Sequence, residues 1–440
     1  MKKSCKKIVG LSLSLALVCS SAFCGKLTKT DDYYFINGYD FMNYKGTDLS
    51  LNELVNEEIS DVEKDLQNNP QESFVVVGHS QGGPSSLAFA TKWNEKYKSS
   101  KQIKAVITVS GIDKGLKALE GGFAPFKAKV TGKVNVLSKG VTGLRAACPI
   151  ATKKLANEAL ANMELPYLTD IDSISSSNIL KMIGSYCPEY IIQAWNGAAY
   201  NELPQIYDMM PDSDFINSYV CKTEKKPYRV QTGTKTQVYW TKSGIFYVLA
   251  SRQVPVYSYV TVVQDTAKFP SDVTTGYIVG LNNNSLSMLE SADFEYNGNK
   301  VTEADVRSYL LQAEKYFSMG EYFNITKAAL GGTTVVLAVL HGNYAADCKA
   351  AKLMCGDFDS TINDLLGSSE HDGLVAKESQ YIPKSYYRPD TKKYYEVHSK
   401  ICCDDGPGYA SYPEYNHADI NPLTNTKIND RIIVETDVLK

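Results

Sequence analysis

The sequence predicts an α/β fold with a mostly parallel central sheet flanked by helices, and short segments near the amino end support this prediction. Residues 73–77 (SFVVV) are a β-branched run of the kind that forms a central parallel strand. Before this run, apolar residues recur at helical spacing over residues 50–68, with acidic residues between them. Residues 85–97 form a second helical segment, and residues 33–37 and 104–109 are further strand candidates.

The turn between the 73–77 strand and the helix after it has the sequence Gly78-His79-Ser80-Gln81-Gly82. In this strand–turn–helix setting the chain turns so sharply that the positions two before and two after the serine have no room for a β-carbon. The turn holds the serine hydroxyl at the carboxyl edge of the sheet, where the amino end of the helix directs N–H groups at a reacting oxygen. Ser80 is therefore the candidate nucleophile.

Five later segments, together with this turn, resemble the α/β-hydrolase fold and more closely the secreted bacterial true lipases. They are Ser110–Gly115 (SGIDKG), Asp208–Ile216 (DMMPDSDFI), Val254–Tyr259 (VPVYSY), Ser369–Val375 (SEHDGLV) and Asn416–Asp419 (NHAD). The resemblance implies that the third segment is a strand following the second. It also implies that the fourth segment carries a catalytic acid and the fifth a catalytic histidine.

A serine hydroxyl needs an adjacent base to act as a nucleophile at neutral pH, and histidine is the usual base. The chain has five histidines. His79 lies in the turn itself, His371 adjoins the candidate acid, and His341 precedes that acid. The order in this fold is serine, acid, histidine, which leaves His398 and His417. His417 is favoured because it lies in a loop rich in Pro, Gly and Asn, whereas His398 lies in an alternating, strand-like segment.

Asp372 is the favoured acid because a glycine and two apolar residues follow it, which indicates a tight turn beyond a strand. In that position its carboxylate would hold the His417 ring in one tautomer and stabilise the charged form of the ring. Three alternatives are more simply interpreted as solvated loop or helix-capping residues. They are Asp357, Asp359 and Asp364.

An oxyanion hole needs two backbone N–H groups directed at the developing negative charge. The N–H of Gln81, the residue after the nucleophile, is the first candidate. The resemblance assigns the second to Tyr39, because Asn37-Gly38-Tyr39 stands where the lipases have a His-Gly-hydrophobic sequence. It also implies a structural calcium ion beside the histidine loop, with Asp419 as a candidate ligand. No redox or nucleotide cofactor is implied.

The composition is that of an ordinary globular protein. The chain has 440 residues, of which 43% are hydrophobic and 22% are charged, so a wholly disordered, collagen-like or coiled-coil chain is excluded. The formal net charge is -3 and no basic stripe is present, so nucleic acid is not a predicted partner. After the amino-terminal segment no run of 18 apolar residues occurs, and no transmembrane segment is predicted.

Residues 1–22 are predicted to be a secretory signal peptide, so the protein is expected to be exported. Lysines precede an apolar run from Ile8 to Val18, which is too short to span a bilayer, and small residues follow it. A lipoprotein anchored through Cys24 is the alternative, but bacterial lipoproteins have a small residue where Phe23 stands. Eight of the ten cysteines follow residue 22, and an even number in an exported protein predicts disulfides.

Residues 23–440 are predicted to form one hydrolase domain, with a lid or cap at about 116–200 and an insertion at about 263–345. Residues 228–262 are rich in predicted strand. The expected function is that of a secreted serine ester hydrolase, a lipase that cleaves carboxylic esters of acylglycerols. A phospholipase or acyltransferase with the same three residues is an alternative, and so is a catalytically inactive binding protein. The expected partner is a lipid or other ester substrate, with transient contact to a lipid interface through the lid.

Overall fold

The structure is a computed structural model that describes most of the chain between residues 27 and 437. The described ranges are 27–38, 49–68, 72–99, 102–147, 204–270, 272–284, 286, 295–296, 299–300, 302–330, 335–382, 385–388, 393–396, 401–402 and 408–437. The predicted signal peptide and Cys24 lie outside these ranges.

The described residues form twelve strands, and six of them build a central sheet. The strands are β1 (Thr28–Lys29), β2 (Tyr34–Asn37), β3 (Phe74–His79), β4 (Ile103–Val109), β5 (Cys221–Ser243), β6 (Phe246–Ala267), β7 (Thr274–Gly280), β8 (Glu295–Tyr296), β9 (Asn299–Lys300), β10 (Ser385–Arg388), β11 (Lys393–Glu396) and β12 (Ala410–Tyr412). The sheet order is β1-β2-β3-β4-β7-β12. Only the β1–β2 pair in it is antiparallel, and the other four pairs are parallel.

Eight α-helices are described. They are α1 (Leu51–Asp65), α2 (Gly82–Tyr97), α3 (Phe123–Ala147), α4 (Pro204–Asp208), α5 (Glu303–Leu330), α6 (Val335–Gly356), α7 (Phe358–Leu366) and α8 (Thr426–Asp437). Helix α1 begins at a capping box, in which Ser50 accepts from the backbone N–H of Glu53 and the Glu53 side chain accepts from that of Ser50. None of the helices in the described ranges is both long and apolar enough to cross a membrane.

The central sheet is buried on both faces because its side chains alternate between two hydrophobic clusters. Ile36 and Val76 face a cluster that includes residues of α1 and α2, such as Val55 and Trp93. The neighbouring strand residues face a second cluster that includes Ile428 and Ile432 of α8. The mixed α/β architecture with a mostly parallel sheet flanked by helices is therefore confirmed, as are the predicted strands and helices from residue 33 to residue 109.

The chain departs from the sequence prediction after β4. The segment Val254–Tyr259, which was expected to be a strand following the 208–216 segment of the hydrolase pattern, lies in β6 and pairs only with β5, outside the central sheet. The next strand of that sheet is β7, which pairs with β4. Strand β7 lies inside 263–345, the stretch predicted to be an insertion, so part of that stretch belongs to the central sheet.

Strands β5 and β6 form a two-stranded antiparallel ribbon with 22 paired positions, closed by a two-residue turn at Gly244 and Ile245. Gly244 has φ +63°, and a glycine with positive φ at the first turn position is typical of a type II′ hairpin. At its base, Lys114 forms an ion pair of 3.2 Å with Asp265, which also accepts from Thr223 at 2.7 Å. At about 3.3 Å per residue, the ribbon is about 70 Å long.

The described part of the predicted lid contains α3, which packs against α5 and α6. Small residues allow these helices to approach closely. A β-carbon on Gly140 would lie 2.3 Å from that of Ala351, and one on Gly320 would lie 2.7 Å from the Cys348 sulfur. The rest of the predicted lid, residues 148–200, lies outside the described ranges, and the lid remains a prediction.

Four of the eight cysteines that follow the predicted signal peptide are described, and all four are buried. They are Cys221, Cys348, Cys355 and Cys402. Burial, reinforced by a neighbouring carboxylate, raises the pKa of the Cys221 and Cys355 thiols to about 12, so neither is a reactive thiolate at neutral pH. Cys24, Cys148, Cys187 and Cys403 lie outside the described ranges, and the predicted disulfides remain untested.

Candidate active site

The Gly-x-Ser-x-Gly turn lies between β3 and α2 and holds Ser80 in the left-handed region at φ +58°. This conformation is costly for a residue with a side chain. Two glycines make the turn possible. A β-carbon on Gly78 would lie 2.0 Å from the carbonyl oxygen of Gly82, and one on Gly82 would lie 2.0 Å from that of Ile36. The turn is also tied to β4, because Ser80 N–H donates to the Val109 carbonyl at 3.1 Å.

The structure brings the three predicted site residues into one hydrogen-bonded chain. The Ser80 hydroxyl lies 2.8 Å from Nε2 of His417. On the other side of the ring, Nδ1 of His417 lies 2.7 Å from Oδ2 of Asp372. Both contacts are within hydrogen-bond distance. All three residues are buried, with Ser80 only 1% exposed. The rival histidine, His398, lies outside the described ranges.

Asp372 lies in a tight turn that stabilises its charged form. Its Oδ1 accepts from the backbone N–H groups of Leu374 at 3.0 Å and Val375 at 2.7 Å. Gly373, which follows Asp372 directly, has φ +94°, which explains the Asp-Gly pair. Burial alone would raise the pKa of Asp372. The attraction of the His417 ring, with hydrogen bonds from that ring and two backbone N–H groups, outweighs burial and holds the pKa below its ordinary value. Asp372 is therefore ionised at neutral pH.

None of the three alternative acids takes part in the hydrogen bonds that join Ser80, His417 and Asp372. Asp357 caps α7 by accepting from the backbone N–H of Ser360, and Asp364 pairs with Lys133. Asp359 lies on α7, 3.6 Å from Arg307.

His79, inside the turn, holds the backbone of the candidate base. Its Nε2–H donates to the carbonyl oxygen of His417 at 2.9 Å, and the two ring centroids are 5.1 Å apart. Burial and then the nearby His417 lower the pKa of His79 to about 3, so this ring stays neutral. His79 therefore acts as a fixed support that links the nucleophile turn to the histidine loop.

Gln380 fastens the acid turn to the end of β7. Its Oε1 accepts from Gly280 N–H at 2.9 Å, and its Nε2 donates to the carbonyls of Gly280 at 3.0 Å and Val375 at 2.9 Å. Gly280 in turn lies against the acid, because a β-carbon there would be 3.0 Å from Cβ of Asp372. One side chain therefore bonds three buried backbone groups, of which the Val375 carbonyl also accepts from the backbone N–H of Asp372 at 3.3 Å.

Replacing Gln380 with leucine is expected to lower the free energy of unfolding by about 1–3 kcal/mol, because buried backbone groups of Gly280 and Val375 each lose a hydrogen bond. We expect kcat for ester hydrolysis to fall by about 10- to 100-fold as the Asp372 turn shifts. Chemical denaturation and steady-state kinetics measure the two effects. Gln67→Leu, at an exposed position, is the matched control. An unchanged kcat in a destabilised Gln380→Leu protein would contradict the positioning role.

The backbone around Gln81 suits an anion-binding site. Gln81 precedes the first turn of α2, where helix N–H groups are free of intrahelical partners. Gly38 lies directly against this end, since a β-carbon on it would be 2.4 Å from the Gln81 nitrogen and 2.2 Å from that of Gly82. The Gln81 side chain donates to Gln205 at 2.9 Å, which directs it to α4. Tyr39, the second predicted donor, lies outside the described ranges.

The Asp419 side chain forms a hydrogen bond within the loop that carries His417. Its Oδ2 accepts from the Asn416 side chain at 2.7 Å, and Oδ1 of Asn416 accepts from the backbone N–H groups of Ala418 and Asp419 at 2.9 Å each. Within the described ranges no group of three or more His, Cys, Asp or Glu side chains is arranged to hold a metal ion. Calcium binding at Asp419 stays an untested prediction.

The sequence did not predict that His79 holds the backbone of His417, or that Gln380 joins the Asp372 turn to the end of β7. His79 was set aside as a base because of its place in the turn, and nothing local indicates that its ring reaches a residue 338 positions away. Gln380 has no motif of its own. The only signal for either residue is its position beside a recognised motif.

We compared the chain with models of known protein families, with curated proteins and with solved structures, and no family, protein or structure matched it.

Proposed function

We propose that this protein is a serine ester hydrolase of the α/β-hydrolase type that cleaves carboxylic esters of lipids through an acyl-enzyme on Ser80. The observation that carries the proposal is the hydrogen-bonded chain from the Ser80 hydroxyl through the His417 ring to Asp372, with contacts of 2.8 and 2.7 Å. The lipid class comes from the resemblance of the serine turn and four later segments to the secreted lipases, without Val254–Tyr259, which lies outside the central sheet. The short sheet-edge turn and the serine–acid–histidine order support the hydrolase type.

The geometry supports a two-step reaction. Ser80 Oγ attacks the ester carbonyl carbon while its proton passes to Nε2 of His417. Asp372 accepts from Nδ1 and stabilises the imidazolium that forms. The imidazolium then donates the proton to the departing alcohol. A water molecule, deprotonated by His417, next attacks the acyl carbon, and the acid leaves as Ser80 recovers its proton.

The cost of the arrangement supports a catalytic rather than a purely structural role. A serine in the left-handed region costs about 1–2 kcal/mol relative to an ordinary conformation. The buried polar side chains of Ser80, His417 and Asp372 stabilise the fold less than packed apolar side chains would, because each needs hydrogen-bond partners to offset its desolvation.

Labelling with a fluorophosphonate probe tests the proposal, because the probe reacts with an activated serine. The wild-type protein is expected to be labelled on the peptide that contains Ser80 and to turn over p-nitrophenyl esters. Ser80→Ala is expected to lose both properties, with kcat reduced at least about 10⁴-fold. Ser218→Ala, at an exposed serine, is the control and should be labelled like the wild type. Equal labelling of wild type and Ser80→Ala, or a folded wild type that neither reacts nor turns over esters, refutes the proposal.

Ester panels then address the substrate class. Esters of increasing acyl-chain length should show higher kcat/KM for longer chains if lipid esters are the substrates. A preference for acetate would favour a small-ester substrate.

A further inference from the structure

The β5–β6 ribbon exposes an unusual amount of apolar surface at its end. Within the described residues it has no neighbouring strand on either edge. The side chains nearest the turn are largely in solvent, with Trp240 68%, Ile245 85% and Phe246 68% exposed. Soluble proteins seldom leave several large apolar side chains together in water, and such patches mark interaction sites.

The apolar residues lie on both faces of the ribbon end. Side chains of paired residues share a face, and successive residues alternate. Trp240 pairs with Leu249, which places both on one face, and the next position along that face pairs Lys242 with Tyr247. The other face carries Phe246 and Val248, together with Tyr239. A protein partner that covered one face would leave the apolar side chains of the other face exposed to water. A lipid headgroup region surrounds an inserted tip on all sides and would remove both faces from water.

The charge of the ribbon favours an anionic surface. Between residues 227 and 262 the chain has four basic residues and no acidic one, although the whole chain has a formal net charge of -3. The basic residues are Arg229, Lys235, Lys242 and Arg252. Lys242 lies two positions from the turn, beside Trp240 and Tyr247. Trp and Tyr side chains with neighbouring cations are the composition that binds the headgroup region of a bilayer.

We propose that the β5–β6 ribbon docks the protein on an anionic lipid surface, with the apolar tip around the Gly244–Ile245 turn inserted at headgroup depth. Deeper insertion is opposed by the unpaired backbone groups along both ribbon edges, which have no partner in hydrocarbon. The base of the ribbon is connected to the candidate site through Lys114, which forms an ion pair with Asp265 of β6. Two residues before Lys114, Ile112 N–H donates to the carbonyl of Ser80 at 3.1 Å. Docking at the tip would therefore tether the domain that carries Ser80 to a membrane through a ribbon about 70 Å long.

Vesicle flotation tests this inference independently of ester hydrolysis. The vesicles are made of dialkyl ether phospholipids, which contain no carboxylic ester, either with phosphocholine headgroups alone or with about a third phosphoglycerol headgroups. Full-length wild type is expected to float with anionic vesicles, and less as salt is raised from 0.05 to 0.5 M, since screening weakens the attraction. Zwitterionic vesicles should bind it weakly.

Two variants separate the apolar and the charged contributions. Trp240→Ser combined with Ile245→Ser and Phe246→Ser is expected to lower the partition coefficient at least about tenfold. Lys242→Gln should lower it about fivefold on anionic vesicles and leave zwitterionic partition unchanged. Leu353→Ser, which removes an exposed apolar side chain from α6, is the matched control and should bind as wild type. The far-UV circular dichroism spectrum and the thermal midpoint check that each variant is folded.

Three results would overturn the inference. They are absence of wild-type flotation at low salt, equal partition of wild type and the triple tip variant, and equal partition into the two kinds of vesicle. Sedimentation equilibrium without lipid supplies a fourth. A wild-type dimer that becomes a monomer in the triple variant would show that the tip binds a second copy of the chain instead.

Discussion

Replacing His417 with alanine is expected to lower kcat for ester hydrolysis by about 10⁵- to 10⁶-fold, because Ser80 then has no group to take its proton. Asp372→Asn is expected to cost about 10⁴-fold, since the amide favours the wrong tautomer of the ring and does not stabilise its charged form. Residues that act as one unit are not additive, so the double variant should be no slower than His417→Ala alone. Steady-state and pre-steady-state kinetics on one p-nitrophenyl ester provide the comparison.

His341→Gln is the control for these measurements. His341 lies on α6, and its Nδ1 is buried with no hydrogen-bond partner among the described residues. It is not part of the Ser80–His417–Asp372 hydrogen bonds. We expect kcat to stay within about twofold of the wild-type value. Comparable losses in His341→Gln and His417→Ala, or additive losses in the Asp372 and His417 variants, would argue against the three residues acting together.

Gly82→Ala is expected to cost about 3 kcal/mol or more of unfolding free energy and to abolish activity. The added β-carbon would lie 2.0 Å from the carbonyl oxygen of Ile36 and 3.1 Å from the Cγ2 of that residue. The first contact is with the backbone of β2, a buried strand of the central sheet, so no flexible side chain can move to relieve it. The denaturation midpoint and ester turnover of the purified variant measure the effect.

Gly132→Ala makes the matched control for this substitution. Gly132 lies on an exposed part of α3, and a β-carbon there meets nothing within 4 Å. Alanine is a better helix former than glycine, so this change should stabilise the protein by about 0.5–1 kcal/mol. Equal effects of the two substitutions would show that close packing at the turn is not what requires a glycine.

The nucleophile turn and the strands around it could be predicted because their signals are local. Residues 74–77 are apolar and three of them are β-branched valines, and the glycines at 78 and 82 indicate a steric requirement within one turn. The histidine and the acid could be chosen because only five histidines exist and because Asp372 precedes a glycine. Each of these inferences uses a few neighbouring residues.

The pairing of β5 with β6 could not be predicted, because the sequence indicates that these segments are strands but does not indicate which strands they pair with. Val254–Tyr259 has the alternation of any strand, and whether such a segment joins a sheet or a hairpin depends on which chain reaches its edges. Ser243-Gly244 between two strand-like runs was the available sign of a hairpin turn. Gln380 was missed for a related reason, since its three partners come from residues 280 and 375 and are set by tertiary packing.

The distance along the chain between Ser80 and His417, 337 positions, has a consequence for synthesis. A growing polypeptide completes the first four sheet strands and the serine turn long before the imidazole has been made. Until residue 417 docks on His79, the hydroxyl has no proton acceptor and behaves like any other serine alcohol. A truncated translation product that lacks residue 417 would thus carry the serine without its base and remain chemically inert, which delays reactivity until the molecule is nearly complete.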